Sequence, residues 1–253
     1  MMIHSTALIS PKANLAQDVE VGPYSIIHEN VRIGKGTKIG AFCEIGVQTA
    51  LAHDPILVIG EYSVVRSHSV IYAGSKIGAK FTTGHHVCVR ENSEISEGVQ
   101  LGSRGDIQGD CSVGSYTKMH ADVHIGKNSK IGSFVWLFPE VLLTNDPIPP
   151  SDILVGPVIE DFCVLASKVL VMPAVTISKN SVIAAGSIVK NNILEGKLAA
   201  GSPAKTICDA RILRMPDNPR EKAYPWCHRF QRGYPHEVVE AWISDASNKV
   251  ISK

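Results

Sequence analysis

The sequence predicts an all-β solenoid, in which short strands and tight corners wind into one long coil. An aliphatic residue recurs at every sixth position, from Ile3 to Ile45, from Ile59 to Leu143 and from Ile159 to Val189. Of these 29 positions, 28 are Ile, Val, Leu or Met, although only 44% of the chain is hydrophobic, so chance does not explain the series. A helix repeats about every 3.6 residues and an ordinary strand about every 2, so a sustained period of six indicates a repeat solenoid.

The period also predicts how the coil closes. Three six-residue sides make one coil of about 18 residues, and strands of neighbouring coils lie about 4.8 Å apart. Two positions before the aliphatic residue, the chain carries small residues such as Ser63, Ser69 and Cys111, which fit the narrow inside of a corner. Glycine often follows the aliphatic residue, where it relieves backbone crowding. We therefore expect one solenoid of roughly nine to ten coils.

The resulting pattern of aliphatic, Gly, any, any, small, any resembles that of the hexapeptide-repeat superfamily. The resemblance covers residues 1 to about 205 and implies a left-handed parallel β-helix, a hand opposite to the one that general crossover rules favour. We expect an all-β domain over 1–205, built from hexapeptide repeats. A short irregular and partly helical tail is expected over 206–253.

Composition narrows the functional classes. The formal net charge is +1, which does not favour a nucleic-acid-binding surface. The repeat begins at Ile3, which predicts no signal peptide, and no apolar run reaches the length of a membrane span. Six cysteines without a CxxC motif fit free thiols in a reducing compartment. The predicted location is the cytoplasm.

The repeat is interrupted twice, at about 46–58 and about 144–158. The second interruption contains Pro147, Pro149 and Pro150, which make a stiff excursion that can reach over its own active site or a neighbouring subunit. For the first interruption, a neutral surface insertion and a functional loop are equally compatible with the sequence.

After Val189 the period decays into a segment that reads Leu-Ala-Ala-Gly-Ser-Pro-Ala-Lys over 198–205. This segment resembles the terminal-coil motif of hexapeptide-repeat acyltransferases, typically Ala-Gly-x-Pro-Ala-Lys, which lies along the acyl-CoA cleft in that family. The resemblance implies cofactor-binding residues here and in the preceding coil: Gly186, Gly201, Ser202, Pro203 and Lys205.

The remaining tail predicts a helix that starts at Pro235, a good first-turn residue. Its apolar stripe would consist of Val238, Val239, Trp242 and Ile243. We interpret the tail as a cap over the open end of the β-helix, where strand edges would otherwise be unpaired.

The 18-residue register places polar residues in columns on one outer face. One column contains Cys88, Asp106 and His124, and the adjacent column contains Tyr72, Arg90, Gln108 and Thr144. Asp106 and His124 are therefore predicted to be neighbours on adjacent strands, where a carboxylate can orient or charge an imidazole. A convergent polar patch of this kind is a candidate site.

The segment around His85 carries a second signal. Thr83 is the one polar residue in the aliphatic series, so the core is expected to be locally relaxed there. His85 follows two residues later, at the place that the catalytic histidine occupies in several superfamily enzymes that acylate sugar nucleotides. The resemblance implies that His85 is catalytic. His86 or Ser75 could assist it, although Ser75 occupies a small-residue position that favours a structural role.

The block Gly84–Glu91, with the segments around Gln108, His124 and Asn145, resembles a narrower group. These are the N-acyltransferases that act on nucleotide-linked amino sugars for surface polysaccharides of the O-antigen or lipopolysaccharide type. The resemblance implies an acyl-CoA donor, most simply acetyl-CoA, and a nucleotide-diphosphate-linked aminodeoxy sugar acceptor. It also implies a homotrimer with active sites between subunits and no required metal.

Roles follow from this chemistry. An amine must be neutral to attack a thioester, so a histidine base near neutral pKa is suitable, with His124 and Asp106 as supporting or alternative catalytic groups. Arg90 could pair with the diphosphate. The other predicted substrate-binding residues are Glu91, Gln108, His120, Asn145 and Asp146.

Three alternatives remain open. A γ-type carbonic anhydrase would need three histidines around zinc, but His120 and His124 are four residues apart, whereas the paired histidines of that family are typically five apart. An O-acyltransferase of the same fold is possible because a fold does not specify a substrate. A non-enzymatic solenoid would be expected to have a featureless polar exterior.

Overall fold

The computed structural model describes residues 1–251, and the side chains of residues 1–243. Short parallel strands form three sheets around one core, and we name the sheets the first, second and third face. The first face comprises Met2–Ile3, Glu20–Val21, Lys38–Ile39, Val64–Val65, Thr82–Thr83, Gln100–Leu101, Lys118–Met119, Trp136–Leu137, Val164–Leu165, Val182–Ile183, Lys197–Gly201 and Ala204–Asp209. The second face comprises Leu8–Ile9, Ile26–Ile27, Glu44–Val47, Val70–Tyr72, Cys88–Val89, Asp106–Ile107, His124–Ile125, Leu142–Leu143, Leu170–Val171 and Ile188–Val189. The third face comprises Asn14–Leu15, Val31–Ile33, Leu57–Ile59, Lys76–Ile77, Glu94–Ile95, Ser112–Val113, Lys130–Ile131, Val158–Ile159 and Thr176–Ile177.

This architecture is consistent with the predicted left-handed parallel β-helix. The predicted 18-residue register is confirmed, for example where Asp106 pairs with His124. The first face contains eleven parallel strands, slightly more than the predicted nine to ten coils. The extra strand, Lys197–Gly201, keeps pairing although its sequence has lost the aliphatic period, because Ala199 takes the buried position.

The core explains why each coil needs small residues at its corners. The repeating aliphatic side chains are buried, while inward hydroxyls bond to the backbone of the next coil, as Ser25 Oγ does to the Gly40 carbonyl at 2.7 Å. Glycine after the aliphatic position allows coils to approach closely. A Cβ at Gly102 would lie 2.4 Å from the carbonyl carbon of His120, a distance that real Cβ atoms do not adopt.

Both predicted interruptions are loops at the corner between the second and third faces. The first lies between Val47 and Leu57, and the second between Leu143 and Val158. Both loops leave from the same corner. The second-face strands from Val70–Tyr72 to His124–Ile125 lie between them along the axis of the solenoid.

The start of the tail covers the edge of the last strand of the first face as predicted, but most of the tail does not cap the end of the β-helix. Ala204–Asp209 pairs antiparallel with the last parallel strand, and the rest packs along the outside of the first face. The reason is a second hydrophobic cluster, in which Trp226 and Trp242 cover the aromatic residues Phe134, Trp136 and Phe162. An apolar outer surface on these coils offers more burial than the narrow end.

The tail contains the short 3-10 helices Ala210–Ile212 and Trp226–His228 and the α-helix His236–Ile251. The helix starts one residue after the predicted Pro235, whose carbonyl accepts from the backbone of Val238 at 3.1 Å. Trp242 is buried as predicted, whereas Ile243 is half exposed and lies outside the apolar stripe. Among the described residues, none of the helices combines the length and apolar character that a membrane span requires.

Candidate active site

The predicted polar column on the second face forms a hydrogen-bonded chain. His124 Nδ1 lies 2.9 Å from Asp106 Oδ2, and Gln108 Nε2 donates to the same oxygen at 2.7 Å. The prediction that Asp106 and His124 are neighbours is confirmed. Because the carboxylate accepts from Nδ1, the neutral form of His124 has its proton on Nδ1 and a free lone pair on Nε2. A nitrogen of this kind can take a proton from a reacting group.

Asp106 is held as a carboxylate. Burial raises its pKa, but hydrogen bonds from His124 and Gln108 outweigh burial and leave the pKa below its usual value. Its second oxygen, Oδ1, is buried and makes no hydrogen bond with any described residue. The adjacent Cys88 is a protonated thiol, because burial and the Asp106 charge raise its pKa to about 11. Cys88 is thus a poor nucleophile.

Arg90 supplies the positive charge of the patch. Its guanidinium lies 5.2 Å from the ring centroid of Tyr72 and donates to Glu91 from Nε at 3.0 Å and from Nη2 at 3.1 Å. The Arg90 side chain is 32% exposed, whereas that of Glu91 is 2% exposed. The prediction that Glu91 contacts substrate is therefore wrong in this structure, because its carboxylate is turned inward to hold Arg90.

The second loop contributes Asn145 to the patch but not Asp146. The Asn145 side chain lies over Gly126, where a Cβ would come within 3.4 Å of it. Asp146 Oδ1 accepts from the Ile148 backbone at 3.0 Å and from Ser151 Oγ at 2.7 Å, and Oδ2 accepts from the Ser151 backbone at 2.8 Å. Both Asp146 oxygens thus accept hydrogen bonds within the loop, which gives Asp146 a loop-stabilising role, and its predicted contact with substrate stays a prediction.

His85 is not part of the hydrogen-bonded chain of Gln108, Asp106 and His124. It lies at the corner between the first and second faces. It is exposed, and its Nδ1 is 2.8 Å from Ser67 Oγ. Its coil precedes that of His124 by two, which separates them by roughly 10 Å along the axis. His85 and His124 therefore cannot share one proton directly. The sequence did not identify Ser67, because serine is common at corners and no pattern marked it.

The core near His85 is well ordered rather than relaxed. Thr83 is fully buried, and its hydroxyl accepts from the Arg66 backbone at 2.8 Å. The Arg66 guanidinium also bonds to the Thr83 carbonyl. The polar residue in the aliphatic series is thus satisfied by its own neighbours.

The two predicted helpers of His85 are engaged elsewhere. His86 stacks on His68 with ring centroids 4.6 Å apart, in an exposed aromatic ladder along the corner. Ser75 is fully buried on the third-face side, where it donates to the Arg90 carbonyl at 2.9 Å and accepts from the Ser93 backbone at 3.1 Å. The supporting catalytic role of Ser75 is wrong, because no substrate can reach its hydroxyl.

His120 lies on the first face, one corner away from the patch. Its ring stacks on Phe138 with centroids 4.8 Å apart, and burial lowers its pKa. Within one chain, the structure does not bring His120 to Asp106. His120 and His124 also face different sides, and the described residues contain no group of three His, Cys, Asp or Glu side chains arranged for a metal.

The predicted acyl-CoA residues cluster at the end of the first face. Gly201 pairs with Ala204 at the turn of the terminal hairpin, where Ser202, Pro203 and Lys205 are exposed. Gly186 lies at the preceding corner with a φ of 70°, and nothing would contact a Cβ there within 4 Å. The surface that leads there consists of small side chains on successive coils: Ala166, Ala184 and Ala200.

Comparison with known proteins supports the repeat. The family described as bacterial transferase hexapeptide (six repeats) matches residues 2–46. An acyl-[acyl-carrier-protein]–UDP-N-acetylglucosamine O-acyltransferase of Thermodesulfovibrio yellowstonii is 33% identical over 137 residues, which is 53% of this chain and 49% of that protein. The bifunctional protein GlmU of Clostridioides difficile is 24% identical over 81% of this chain and 43% of its own length. The chain thus spans about half the length of these curated relatives.

A solved UDP-N-acetylglucosamine acyltransferase of Arabidopsis shares 19% identity, covers 82% of this chain and 74% of its own, and has a TM-score of 0.49. The family match confirms the resemblance to hexapeptide-repeat proteins that the sequence pattern indicated.

Proposed function

We propose that this hexapeptide-repeat protein is an acyltransferase that moves an acyl group, most simply acetyl, from acyl-CoA to the amine of a nucleotide-diphosphate-linked aminodeoxy sugar. The observation that carries the proposal is the chain from Gln108 through Asp106 to His124, which leaves one histidine nitrogen free beside a fixed carboxylate. Such a pair is suited to general base catalysis.

In the proposed reaction the sugar amine attacks the thioester carbonyl. The new C–N bond forms, the amine proton passes to His124 Nε2, and the C–S bond then breaks as the thiolate leaves. His124 returns the proton to the departing sulfur, so the products are an amide and free CoA. Asp106 stabilises the imidazolium that forms in between.

The hydrogen-bond partner of His124 makes His124 a better candidate for the base than His85. Asp106 is an ionised carboxylate, whereas Ser67 is a neutral hydroxyl that stabilises an imidazolium less. In this proposal His85, which the sequence resemblance predicted to be catalytic, instead positions the sugar or the acyl group at the corner. We assign His86 to stacking on His68 along the corner, without a part in the chemistry.

Arg90, Gln108 and Asn145 would bind the acceptor, with Arg90 at the diphosphate. The acyl-CoA would lie along the alanine surface that leads to Gly201 and Lys205. These donor residues face a different side from the acceptor patch. A homotrimer, in which the alanine surface of one subunit meets the second face of another, would bring both halves and His120 together.

A second candidate is O-acylation of a nucleotide-linked sugar. The similarity to a UDP-N-acetylglucosamine O-acyltransferase, 33% identical over 137 residues, favours it. A hydroxyl would replace the amine as nucleophile, and the same base would serve. The donor would then be an acyl carrier protein or acyl-CoA.

The test is an assay of free-thiol release with acetyl-CoA and a panel of UDP-, dTDP- and GDP-linked 3-amino and 4-amino sugars, together with UDP-N-acetylglucosamine. The product is then treated with mild alkali, which cleaves an ester but not an amide, and its mass is measured. An alkali-stable acetyl group on one amino sugar supports the proposal. An alkali-labile group supports O-acylation. If no acceptor of the panel gives thiol release, acetyl-CoA-dependent transfer to an amine and to a hydroxyl are both contradicted.

A further inference from the structure

Glu91 is a buried carboxylate that joins two parts of the chain. It follows Arg90 in the sequence and holds the Arg90 guanidinium through both of its own oxygens. Its Oε1 also accepts from Thr49 Oγ1 at 2.5 Å, across 42 residues of sequence. Thr49 belongs to the first loop, which the sequence left open between a functional and a neutral role. The first loop and Arg90 are thus both hydrogen-bonded to Glu91.

The hydrogen-bond geometry leaves a defined edge of Arg90 free. A guanidinium has five N–H donors, and Glu91 takes one from Nε and one from Nη2. The two Nη1 hydrogens and the second Nη2 hydrogen remain for another acceptor. Tyr72 lies against the guanidinium at 5.2 Å from its ring centroid. With its edge and its face both supported, the guanidinium is held in one plane before any ligand binds.

The first loop is fastened to the same corner by further bonds. Asn92 Nδ2 donates to the Leu51 carbonyl at 2.9 Å, and the His53 backbone donates to Asn92 Oδ1 at 2.9 Å. Thr49 is therefore held in place from both sides, by Glu91 and by the bonds that follow it. An ordered loop can then fix the position of Oε1.

The burial of the pair is unequal, and this decides what each residue does. Glu91 is closed off from solvent at 2% exposure, while Arg90 at 32% presents its free edge beside Gln108 and Asp106 on the patch. Glu91 keeps its charge, because hydrogen bonds from Arg90 and Thr49 outweigh the effect of burial and lower its pKa. A residue in this place acts on ligand binding only through Arg90.

We propose that Thr49 and Glu91 are positioning residues, through which the loop 48–56 aims Arg90 at the diphosphate of the acceptor. This inference rests on the proposed function and adds to it the part of the molecule that sets affinity for the nucleotide half. The bound group is a nucleoside diphosphate, whose paired anionic oxygens match the free donors of a fixed guanidinium. The fixed plane avoids the cost of ordering Arg90 on binding.

The experiment compares the wild type with Thr49→Val, which keeps the shape and removes the hydroxyl, and with Thr49→Ser, which restores it. Titration calorimetry measures the Kd of UDP, dTDP and GDP. This measurement does not depend on acyl transfer. On the best acceptor, steady-state assays give kcat and the KM of sugar nucleotide and acyl-CoA. Thermal melting of all three proteins reports on the fold.

We expect Thr49→Val to raise the Kd of the nucleoside diphosphate and the KM of the sugar nucleotide about fivefold to tenfold, which is less than the full value of a hydrogen bond to a charged group because Thr49 acts through Glu91 and Arg90. The KM of acyl-CoA and kcat should change less than about twofold, and Thr49→Ser should recover most of the loss. Glu91→Gln should give a larger rise in the same two constants.

Three results would overturn the inference. One is a Thr49→Val protein with wild-type Kd and KM, and another is an equal loss in every constant with a lower melting temperature, which marks a merely structural bond. Wild-type protein that binds none of the three nucleotides also overturns it. Binding with the predicted Thr49 effect but without any acyl transfer would keep this inference and reject the proposed function.

Discussion

His124 and Asp106 face each other on adjacent strands of the second face, with Nδ1 of the imidazole 2.9 Å from Oδ2 of the carboxylate. The parallel register sets this distance, because equivalent residues of neighbouring coils lie side by side along the whole solenoid. Gln108 steadies the carboxylate from the same strand. The repeat thus places an oriented imidazole on a rigid scaffold without any loop.

Asp106→Asn should reduce acyl transfer without unfolding the protein. The amide oxygen can still accept from Nδ1, but it is neutral, so the ring loses the negative charge that stabilises its protonated form. We expect kcat to fall about 100-fold or more, with little change in the KM of acyl-CoA. Rates and melting temperature are compared with those of Asp122→Asn, which removes an exposed carboxylate paired with Arg104. Equal effects of the two changes would contradict the assignment.

Cys88 should react slowly with thiol reagents despite its place in the patch. With a pKa of about 11, only about one thiol in a thousand is ionised at pH 8, whereas an ordinary thiol is ionised to roughly a quarter. Peptide mass spectrometry after timed exposure to iodoacetamide should show modification rising about tenfold per pH unit toward pH 11. Asp106→Asn removes a charge that raises this pKa, so it should speed the reaction. Rapid modification of Cys88 at pH 8 would be inconsistent with this environment.

Lys118 should limit stability at neutral pH, because its ammonium is buried between Trp136 and Tyr234. Burial and the nearby Arg232 lower its pKa from the usual 10.5. The unfolded chain therefore binds more protons than the native state between the lowered pKa and 10.5, and stability should rise with pH through that window.

Lys118→Met keeps the apolar stem, removes the buried charge and should raise the melting temperature at pH 7. The removed desolvation cost should exceed the lost cation–π attraction of roughly 1–2 kcal/mol and the lost hydrogen bond to the Gly233 carbonyl at 3.4 Å. Calorimetry should also show that the alkaline rise in stability is lost. Lys179→Met, at a more exposed site near Phe162, is the matched control. A lower melting temperature for Lys118→Met alone would show that the aromatic contacts outweigh burial.

Trp226→Ala should release the tail and leave the β-helix folded. Trp226 is 6% exposed, donates from Nε1 to the Phe162 carbonyl at 3.1 Å and packs edge-on against Trp136. Truncation of a buried tryptophan costs about 3–5 kcal/mol, which is large for a segment held by one cluster. Limited proteolysis should then cut between residues 210 and 235, while hydrogen exchange of the three faces stays slow. Loss of protection in the coils as well would mean that tail and β-helix fold as one unit.

Most of the fold was predictable, because a period of six determines both the inward residues and the 18-residue register. The same register predicted the contact between Asp106 and His124, since strand neighbours can be read directly from the numbering. Residues outside the period escaped this reasoning. Thr49 lies in a loop that has no register, so its bond to Glu91 left no trace in the sequence pattern.

Side-chain direction was the second limit. The sequence predicts that Glu91 binds substrate together with Arg90, but at the corner its carboxylate points inward, where Thr49 and Arg90 donate to it. Asp146 is similar, because a carboxylate before a proline-rich loop can bond to the backbone that follows it. The tail was misplaced because the aromatic residues Phe134 and Phe162 were not recognised as an apolar outer surface.

The central claim is that His124, oriented by Asp106, is the base for acyl transfer. The most direct measurement is kcat/KM for CoA release on the best acceptor of the panel, with wild type, His124→Ala, His85→Ala and the remote surface control His4→Ala. The account predicts a loss of about 1,000-fold for His124→Ala, about tenfold or less for His85→Ala and none for His4→Ala. A His124→Ala enzyme within tenfold of wild type, with His85→Ala inactive, would contradict the account and return the base to His85.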